Sequence, residues 1–193
     1  MQENPSPAAP RRRRADAQRN IDALLEAAKT VFAGSGVDAP AKEITDLAGV
    51  GVGTLYRHFP QRSDLVTAVL RREIDACAEA APALSAAHGP DEALTKWLDR
   101  YTEFLATKHG LASALHSDDP AFEALRGSFL TQLGPALAAL LDTAQAAGEI
   151  RPDVSAKDLL YAIALLCQPV PGEEPAYNLR MVAVLIDGLR YRT

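Results

Sequence analysis

Hydrogen-bond donors are concentrated in one short stretch of this chain, residues 54–58. The donor side chains in it are those of Thr54, Tyr56, Arg57 and His58. Hydroxyl, guanidinium and imidazole groups of this kind bind phosphate oxygens and the edges of bases. Leu55 and Phe59 lie at positions that face the other side of the same short helix. The stretch therefore predicts a helix that packs on one side and presents donors on the other.

A glycine-rich turn, GVGVG at residues 49–53, precedes this helix. Gly49 suits the end of the preceding helix because a sharp bend there needs a residue without a Cβ clash. Gly53 would let the backbone approach a phosphate or base edge closely. The preceding helix has two turns and an apolar face made of Ile44, Leu47 and Ala48, and Pro60 stops the second helix. Two short helices joined in this way predict a DNA-reading helix-turn-helix.

Two basic residues flank the motif and complete the predicted contact set. Lys42 stands at the start of the first helix and Arg62 at the start of the helix that follows. The predicted DNA-binding residues are Lys42, Gly53, Thr54, Tyr56, Arg57, His58 and Arg62. Each has a plainer alternative: Tyr56 as a packing aromatic, His58 as a surface or capping histidine, Arg57 as a solvated charge.

The charge distribution agrees with a polyanionic partner for one part of the chain. The whole chain has a net charge of -5. Residues 1–72 hold 11 Lys and Arg against 8 Asp and Glu, a net charge of +3, whereas residues 73–193 hold 9 against 17, a net charge of -8. The run of four arginines at residues 11–14 is either an arm that lies along DNA or a solvated tail.

Helical periodicity runs through the rest of the chain, and no alternating strand pattern of useful length occurs. The sequence predicts an all-α fold of about nine helices, with Pro82 and residues 88–90 as breaks. A kink or brief break is expected at Gly134-Pro135. The predicted helices cover roughly residues 17–33, 40–48, 52–59, 62–80, 91–108, 111–116, 119–147, 155–167 and 176–190. Residues 1–16 are expected to form a disordered basic arm.

The run AKEITDLAGVGVGTLYRHFPQRSDLV resembles the DNA-binding segment of the TetR family of bacterial transcriptional regulators. The matching residues are Ile44, Ala48-Gly49-Val50, Val52-Gly53-Thr54-Leu55-Tyr56, His58-Phe59 and Leu65, and the resemblance covers about residues 17–75. It implies a homodimer, with residues 17–62 as a three-helix DNA-binding domain and residues 63–193 as a helical domain for ligand binding and dimerisation. It further implies an inverted-repeat operator in double-stranded DNA and, by the family's usual habit, repression that a small-molecule effector relieves.

Three positions depart from the family pattern. Pro40-Ala41 stands where a threonine often opens the second helix, so a phosphate-binding hydroxyl is missing. Gly51 replaces a small polar residue, and Arg62 replaces a lysine, which preserves charge but changes geometry. These departures leave the half-site sequence open.

The C-terminal part supplies candidate dimer and ligand residues. The last two helices are apolar nearly all round, which predicts a dimer interface at Leu159, Ile163, Leu166, Val182, Ile186 and Leu189; the alternative is a core within one protomer. Aromatic residues at helical spacing are more often core than pocket. A ligand pocket among the bundle helices would nevertheless use Trp97, Tyr101, Phe104, His116 and Phe129.

The remaining features exclude several function classes. No run of about 18 apolar residues predicts a membrane span, and no apolar segment follows the basic N-terminal residues as in a secretory signal. Cys77 and Cys167 are expected to be buried thiols of a cytoplasmic protein rather than a disulfide, and no cofactor or metal is expected. No catalytic motif occurs, so an enzyme is disfavoured. A helical module that binds protein rather than DNA remains the other alternative.

Overall fold

The computed structural model describes the backbone of residues 8–110 and 120–190, and the side chains of residues 15–106, 129–174 and 176–190. Within these ranges the chain forms eight α-helices and no strand, which confirms the all-α prediction. The helices are α1 (Ala8–Ser35), α2 (Ala41–Ala48), α3 (Val52–His58), α4 (Arg62–Ala87), α5 (Pro90–Gly110), α6 (Pro120–Ala146), α7 (Ala156–Leu166) and α8 (Pro175–Leu189). The helix predicted at residues 111–116 lies outside the described residues.

Helices α1, α2 and α3 form an N-terminal head. Helix α1 packs against α2, and α2 packs against α3. The head has its own apolar centre, and its buried side chains include Leu24, Ala28, Phe32, Ile44, Leu55 and Phe59. Burial of these side chains stabilises α2 and α3, which at 8 and 7 residues would be marginal as isolated helices.

Helix α1 begins at Ala8, well before the predicted start near Ala17. Residues 8–16 are therefore helical, and the prediction of a disordered arm over residues 1–16 is wrong for them. Pro10 falls in the first turn, where a proline costs no hydrogen bond, and arginine and alanine are good helix formers. Residues 1–7 and the side chains of Arg11 to Arg14 lie outside what the structure describes.

Helix α4 leads from the head into a C-terminal body made of α4 to α8. It continues through Pro82 to Ala87, so its predicted end at Ala80 is wrong. One proline removes a single backbone hydrogen bond, and the packing of a 26-residue helix outweighs that loss here. Helix α6 is likewise unbroken at Pro135. Within the body, α4 packs against both α5 and α6, and α7 bridges α6 and α8.

The start of α7 is fixed by a capping pair, Ser155 and Asp158. The backbone N–H of Asp158 donates to the Ser155 hydroxyl oxygen at 3.2 Å, and the N–H of Ser155 donates to the Asp158 carboxylate at 3.1 Å. Hydrogen bonds from the Ser155 side chain and backbone lower the pKa of Asp158. This reciprocal pair satisfies donors that a helix N-terminus leaves free.

The predicted dimer residues are buried inside the protomer. Leu159, Ile163, Val182, Ile186 and Leu189 belong to its core, and Leu166 is half-buried against it. A side chain without exposed surface has none to lose to a partner, so these five buried residues do not fit an interface, whereas Leu166 keeps part of its surface. The outward faces of α7 and α8 are also apolar and carry Tyr161, Leu165, Leu179 and Val184. Periodicity alone does not distinguish the two faces of a helix that is apolar all round.

Candidate nucleic-acid interface

The turn between α2 and α3 depends on Gly49. Its backbone has φ 67° and ψ 29°, a left-handed conformation that favours glycine. The Gly49 N–H donates to the Asp46 carbonyl at 3.3 Å, and the Val50 N–H donates to the Thr45 carbonyl at 3.1 Å. These bonds satisfy carbonyls at the end of α2 while reversing the chain direction. The turn thereby sets the angle at which α3 leaves α2.

Helix α3 has a packed side and an open side. Leu55 is 3% exposed, and Phe59, the residue that ends the helix, is also buried. Tyr56 is 53% exposed, and Gly53 and Arg57 are exposed with it, whereas Thr54 and His58 are half-buried. The predicted donor face is therefore present as one surface of a helix that is anchored from behind.

The surroundings of Gly53 are open. A Cβ added at this position would meet no atom of the protein within 4 Å, and its backbone is not left-handed. Nothing in the fold of the protomer therefore requires glycine here. A glycine that folding does not require is consistent with close approach of another molecule to this part of α3.

Lys42 is also exposed and lies at the start of α2. Its ammonium donates to the Asp46 carboxylate one turn along the same helix. Both side chains are mostly exposed, so this ion pair contributes little to stability. The Lys42 ammonium can therefore exchange Asp46 for a phosphate at small cost.

Arg62 occupies a different environment from the one predicted. Its Nε donates to the Val37 carbonyl at 2.6 Å, its Nη2 donates to the Ala39 carbonyl, and its Cζ lies 5.1 Å from the centroid of the Phe32 ring. The guanidinium thus ties the start of α4 to the connection between α1 and α2. These contacts give Arg62 a structural role within the head, so we omit it from the proposed DNA contacts.

Two apolar side chains of the motif are exposed in a way that the sequence did not reveal. Leu47, expected on the packed face of α2, is 57% exposed, and Val52 at the start of α3 is 39% exposed. Ile44 and Thr45 take the buried positions of α2 instead. Only two turns are available in α2, so the i, i+3 and i+4 spacing could not tell which apolar residue would face outward.

The comparisons with known proteins agree with this geometry. A family model described as bacterial regulatory proteins of the tetR family matches residues 24–69. A second, described as the C-terminal domain of SbtR-like transcriptional regulators, matches residues 89–191, more than half of the chain. The chain belongs to the TetR family of bacterial transcriptional regulators. Regulators of this family bind DNA operators, dimerise and bind small-molecule effectors, and they are not enzymes.

Solved structures of TetR-family proteins have the same fold over nearly the whole chain. A TetR transcriptional regulator from Streptomyces coelicolor is 37% identical and has a TM-score of 0.75, with 90% of this chain and 99% of that chain covered. A TetR regulator from Mycobacterium vanbaalenii is also 37% identical, with a TM-score of 0.70 and 92% and 99% covered.

The similarity to curated proteins covers a smaller part of the chain. An HTH-type transcriptional regulator of Staphylococcus aureus is 37% identical over 68 residues, which cover 34% of this chain and 35% of that protein. The match thus spans about a third of the length of such relatives. The effector and partners of this TetR-family member therefore have to be argued from its own residues.

Four of the five predicted ligand-binding residues of the TetR-family body lie together. Trp97 and Tyr101 stack with ring centroids 5.8 Å apart, and Phe129 lies 5.9 Å from Tyr101 and 5.8 Å from Phe104. The Trp97 indole N–H donates to the Cys77 carbonyl, and the Tyr101 hydroxyl donates to the Leu160 carbonyl. A ligand beside this cluster would therefore meet ring surfaces rather than free donors. His116 lies outside the described residues.

The described residues were also compared with what a membrane span or a metal site requires. None of them is both long and apolar enough to span a membrane. No group of three or more His, Cys, Asp or Glu side chains suited to a metal ion occurs among the described residues. Cys77 and Cys167 are both free thiols.

Proposed function

We propose that this chain is a ligand-responsive repressor that binds an inverted-repeat operator as a homodimer. The observation that carries the proposal is the exposed donor face of α3, with Tyr56 and Arg57 outward and open space at Gly53. Thr54, His58 and Lys42 extend this surface. Most of these groups suit phosphate oxygens, so we infer that phosphate contacts supply most of the affinity and that few contacts read bases.

A homodimer is supported by the apolar outward faces of α7 and α8. Leu165 is 71% exposed and Val184 is 64% exposed, and Tyr161 and Leu179 add to the same helices. Large apolar side chains clustered on a protomer surface are typical of an interaction site. A two-fold axis through this surface would present two α3 helices to half-sites about 34–36 Å apart, one turn of DNA.

The proposed effector is a small, partly apolar molecule that binds beside the aromatic cluster of Trp97, Tyr101, Phe104 and Phe129. The effector would favour a form of the dimer whose α3 separation does not match the operator. The extent of DNA release is limited by the difference in effector affinity between the two forms. We place this regulator in the cytoplasm, where DNA and effector are both accessible.

Selection from a pool of random DNA duplexes tests the DNA-binding function directly. The full chain should enrich duplexes that share an inverted repeat, and the same repeat should occur near the protein's own gene. An Arg57→Ala variant, altered only on the exposed face of α3, should enrich the repeat poorly. Failure of the unaltered chain to enrich any duplex at low salt would overturn the proposal, and enrichment of an asymmetric single site would overturn the dimeric operator.

A further inference from the structure

A polar cavity lies where the DNA-binding head meets the body. Its volume is about 340 Å³, and it opens among three helices, α1 of the head with α4 and α5. The lining residues are Lys29, Glu73, Cys77, Arg100, Glu103 and Phe104. A volume of this order lies at the small end of the range for ligand sites.

Of the two cations that line this cavity, Lys29 is partnered and Arg100 has no partner among the described residues. The Lys29 ammonium, on α1, donates to the Glu73 carboxylate at 2.7 Å, and this pair joins the head to α4. Arg100 is exposed and makes no hydrogen bond or ion pair within the described part of the chain. A guanidinium presents donors in a planar fork that matches a carboxylate. Glu103 has an interaction of its own.

The other wall of the cavity is apolar. Phe104 and Cys77 are nearly fully buried, and burial raises the pKa of the Cys77 thiol to about 12, so that side chain is neutral. The two cations are balanced by Glu73 and Glu103. The described part of the lining has no net charge and one guanidinium without a partner, which favours a monoanion over a phosphate dianion.

We propose that this cavity binds a small organic carboxylate. The carboxylate accepts hydrogen bonds from Arg100 and from Lys29, and the apolar part of the molecule lies against Phe104. The site is separate from the aromatic cluster, although Phe104 contributes to both.

Binding here also couples the body to the head. A ligand carboxylate competes with Glu73 for the Lys29 ammonium, which weakens an ion pair between α1 and α4. Helix α1 packs on α2, which carries the turn that sets α3. This coupling rests on the proposed DNA-binding function, whereas the binding site itself does not.

Calorimetry on the full-length protein tests the site with benzoate as the probe and benzamide as its neutral counterpart. Benzoate should bind saturably with a Kd of about 1 mM or tighter, and benzamide should bind at least tenfold more weakly. An Arg100→Gln variant should lose at least tenfold in benzoate affinity. Lys96→Gln is the matched control, because Lys96 is an exposed cation of α5 that pairs with Glu92 and does not line the cavity.

A second variant should move the affinity in the opposite direction. Glu73→Gln removes the carboxylate that competes for Lys29, so benzoate should bind several-fold more tightly than to the unaltered protein. If the substitutions acted only by disturbing the structure, Arg100→Gln and Glu73→Gln would both bind benzoate more weakly. The absence of saturable benzoate binding, equal binding of benzamide, or unchanged affinity in Arg100→Gln would each overturn the site.

Measuring operator affinity with and without benzoate tests the coupling between the cavity and the head. Benzoate should lower the affinity of the unaltered protein for its operator and leave that of Arg100→Gln unchanged. Benzoate binding without an effect on DNA affinity would overturn the coupling. A protein that binds benzoate but no DNA would instead contradict the proposed function, so the two failures are distinguishable.

Discussion

The guanidinium of Arg62 lies over the ring of Phe32, with Cζ 5.1 Å from the ring centroid. The same side chain donates to the carbonyls of Val37 and Ala39. Helix α4 is thus tied to α1 and to the connection before α2. Arg62, a basic residue that flanks the DNA-binding motif, therefore stabilises the packing of the motif through these contacts.

Replacing Arg62 should therefore lower stability. Arg62→Ala removes two charge-assisted hydrogen bonds and leaves two carbonyls without these partners, so the free energy of unfolding should fall by about 2–3 kcal/mol in urea titrations. Arg57→Ala is the matched variant, since Arg57 is an exposed arginine of α3; its stability should change by less than about 0.5 kcal/mol. If Arg62→Ala kept full stability and lost only DNA affinity, the prediction of Arg62 as a DNA-binding residue would be correct instead.

Substituting alanine at two glycines of the motif should change the stability of the protein in opposite directions. Gly49→Ala places a Cβ on a left-handed backbone and should lower the free energy of unfolding by about 1–2 kcal/mol. In Gly53→Ala the added Cβ lies in open space within a helix, so the free energy of unfolding should rise by about 0.5–1 kcal/mol. DNA affinity should nevertheless fall for Gly53→Ala, because the Cβ separates α3 from the duplex. Thermal unfolding together with a gel-shift titration measures both, and unchanged DNA affinity in Gly53→Ala would remove Gly53 from the interface.

Substitutions on α7 should separate the dimer surface from the core. Leu165→Glu puts a charge on the exposed apolar face and should shift the protein to monomers in sedimentation velocity while helicity is retained. Ile163→Ala creates a cavity in the protomer and should cost about 2–5 kcal/mol. A dimer that persists in Leu165→Glu at low micromolar concentration would place the interface elsewhere.

Stability should decline in alkali through the buried thiol of Cys77. Burial is the main cause that raises its pKa from 9.0 to about 12; Glu73 raises it further and Arg100 opposes the rise. The folded state holds this proton more tightly than the unfolded state, so the contribution is complete below pH 9 and is lost as the pH rises towards 12. Urea titrations should show a steep decline over this range and a shallower one in Cys77→Ala. Equal slopes in the two proteins would contradict a role for Cys77.

Much of the head could be predicted from sequence because its signals are local. The left-handed glycine, the stop at Pro60 and the alternation of donors with Leu55 and Phe59 depend on a few neighbouring residues. Arg62 could not be placed in the same way, because its partners are a ring and two carbonyls that lie 23 or more residues earlier in the chain. A charge in the sequence does not reveal which backbone groups the fold brings to it.

The body was predictable in class but not in detail. Apolar residues surround α7 and α8, so the sequence pattern indicates two equivalent faces, and most of the predicted dimer residues lie on the inward one. Pro82 predicts a helix end because the local cost of a proline is visible in sequence, whereas the packing of α4 that offsets this cost is not. The polar cavity between the head and the body is lined by Lys29 and by Arg100, which lie 71 positions apart in the chain. No local sequence pattern therefore predicts it.

The central claim is that the outward face of α3 binds DNA, and a Tyr56→Ala/His58→Ala variant tests it most directly. Binding to the inverted repeat nearest the protein's own gene would be titrated by gel shift at several salt concentrations, beside thermal unfolding. The unaltered protein should bind with an affinity that falls steeply with salt, and the variant should bind at least tenfold more weakly with a Tm that is little changed. Equal affinity in the two proteins would contradict the account.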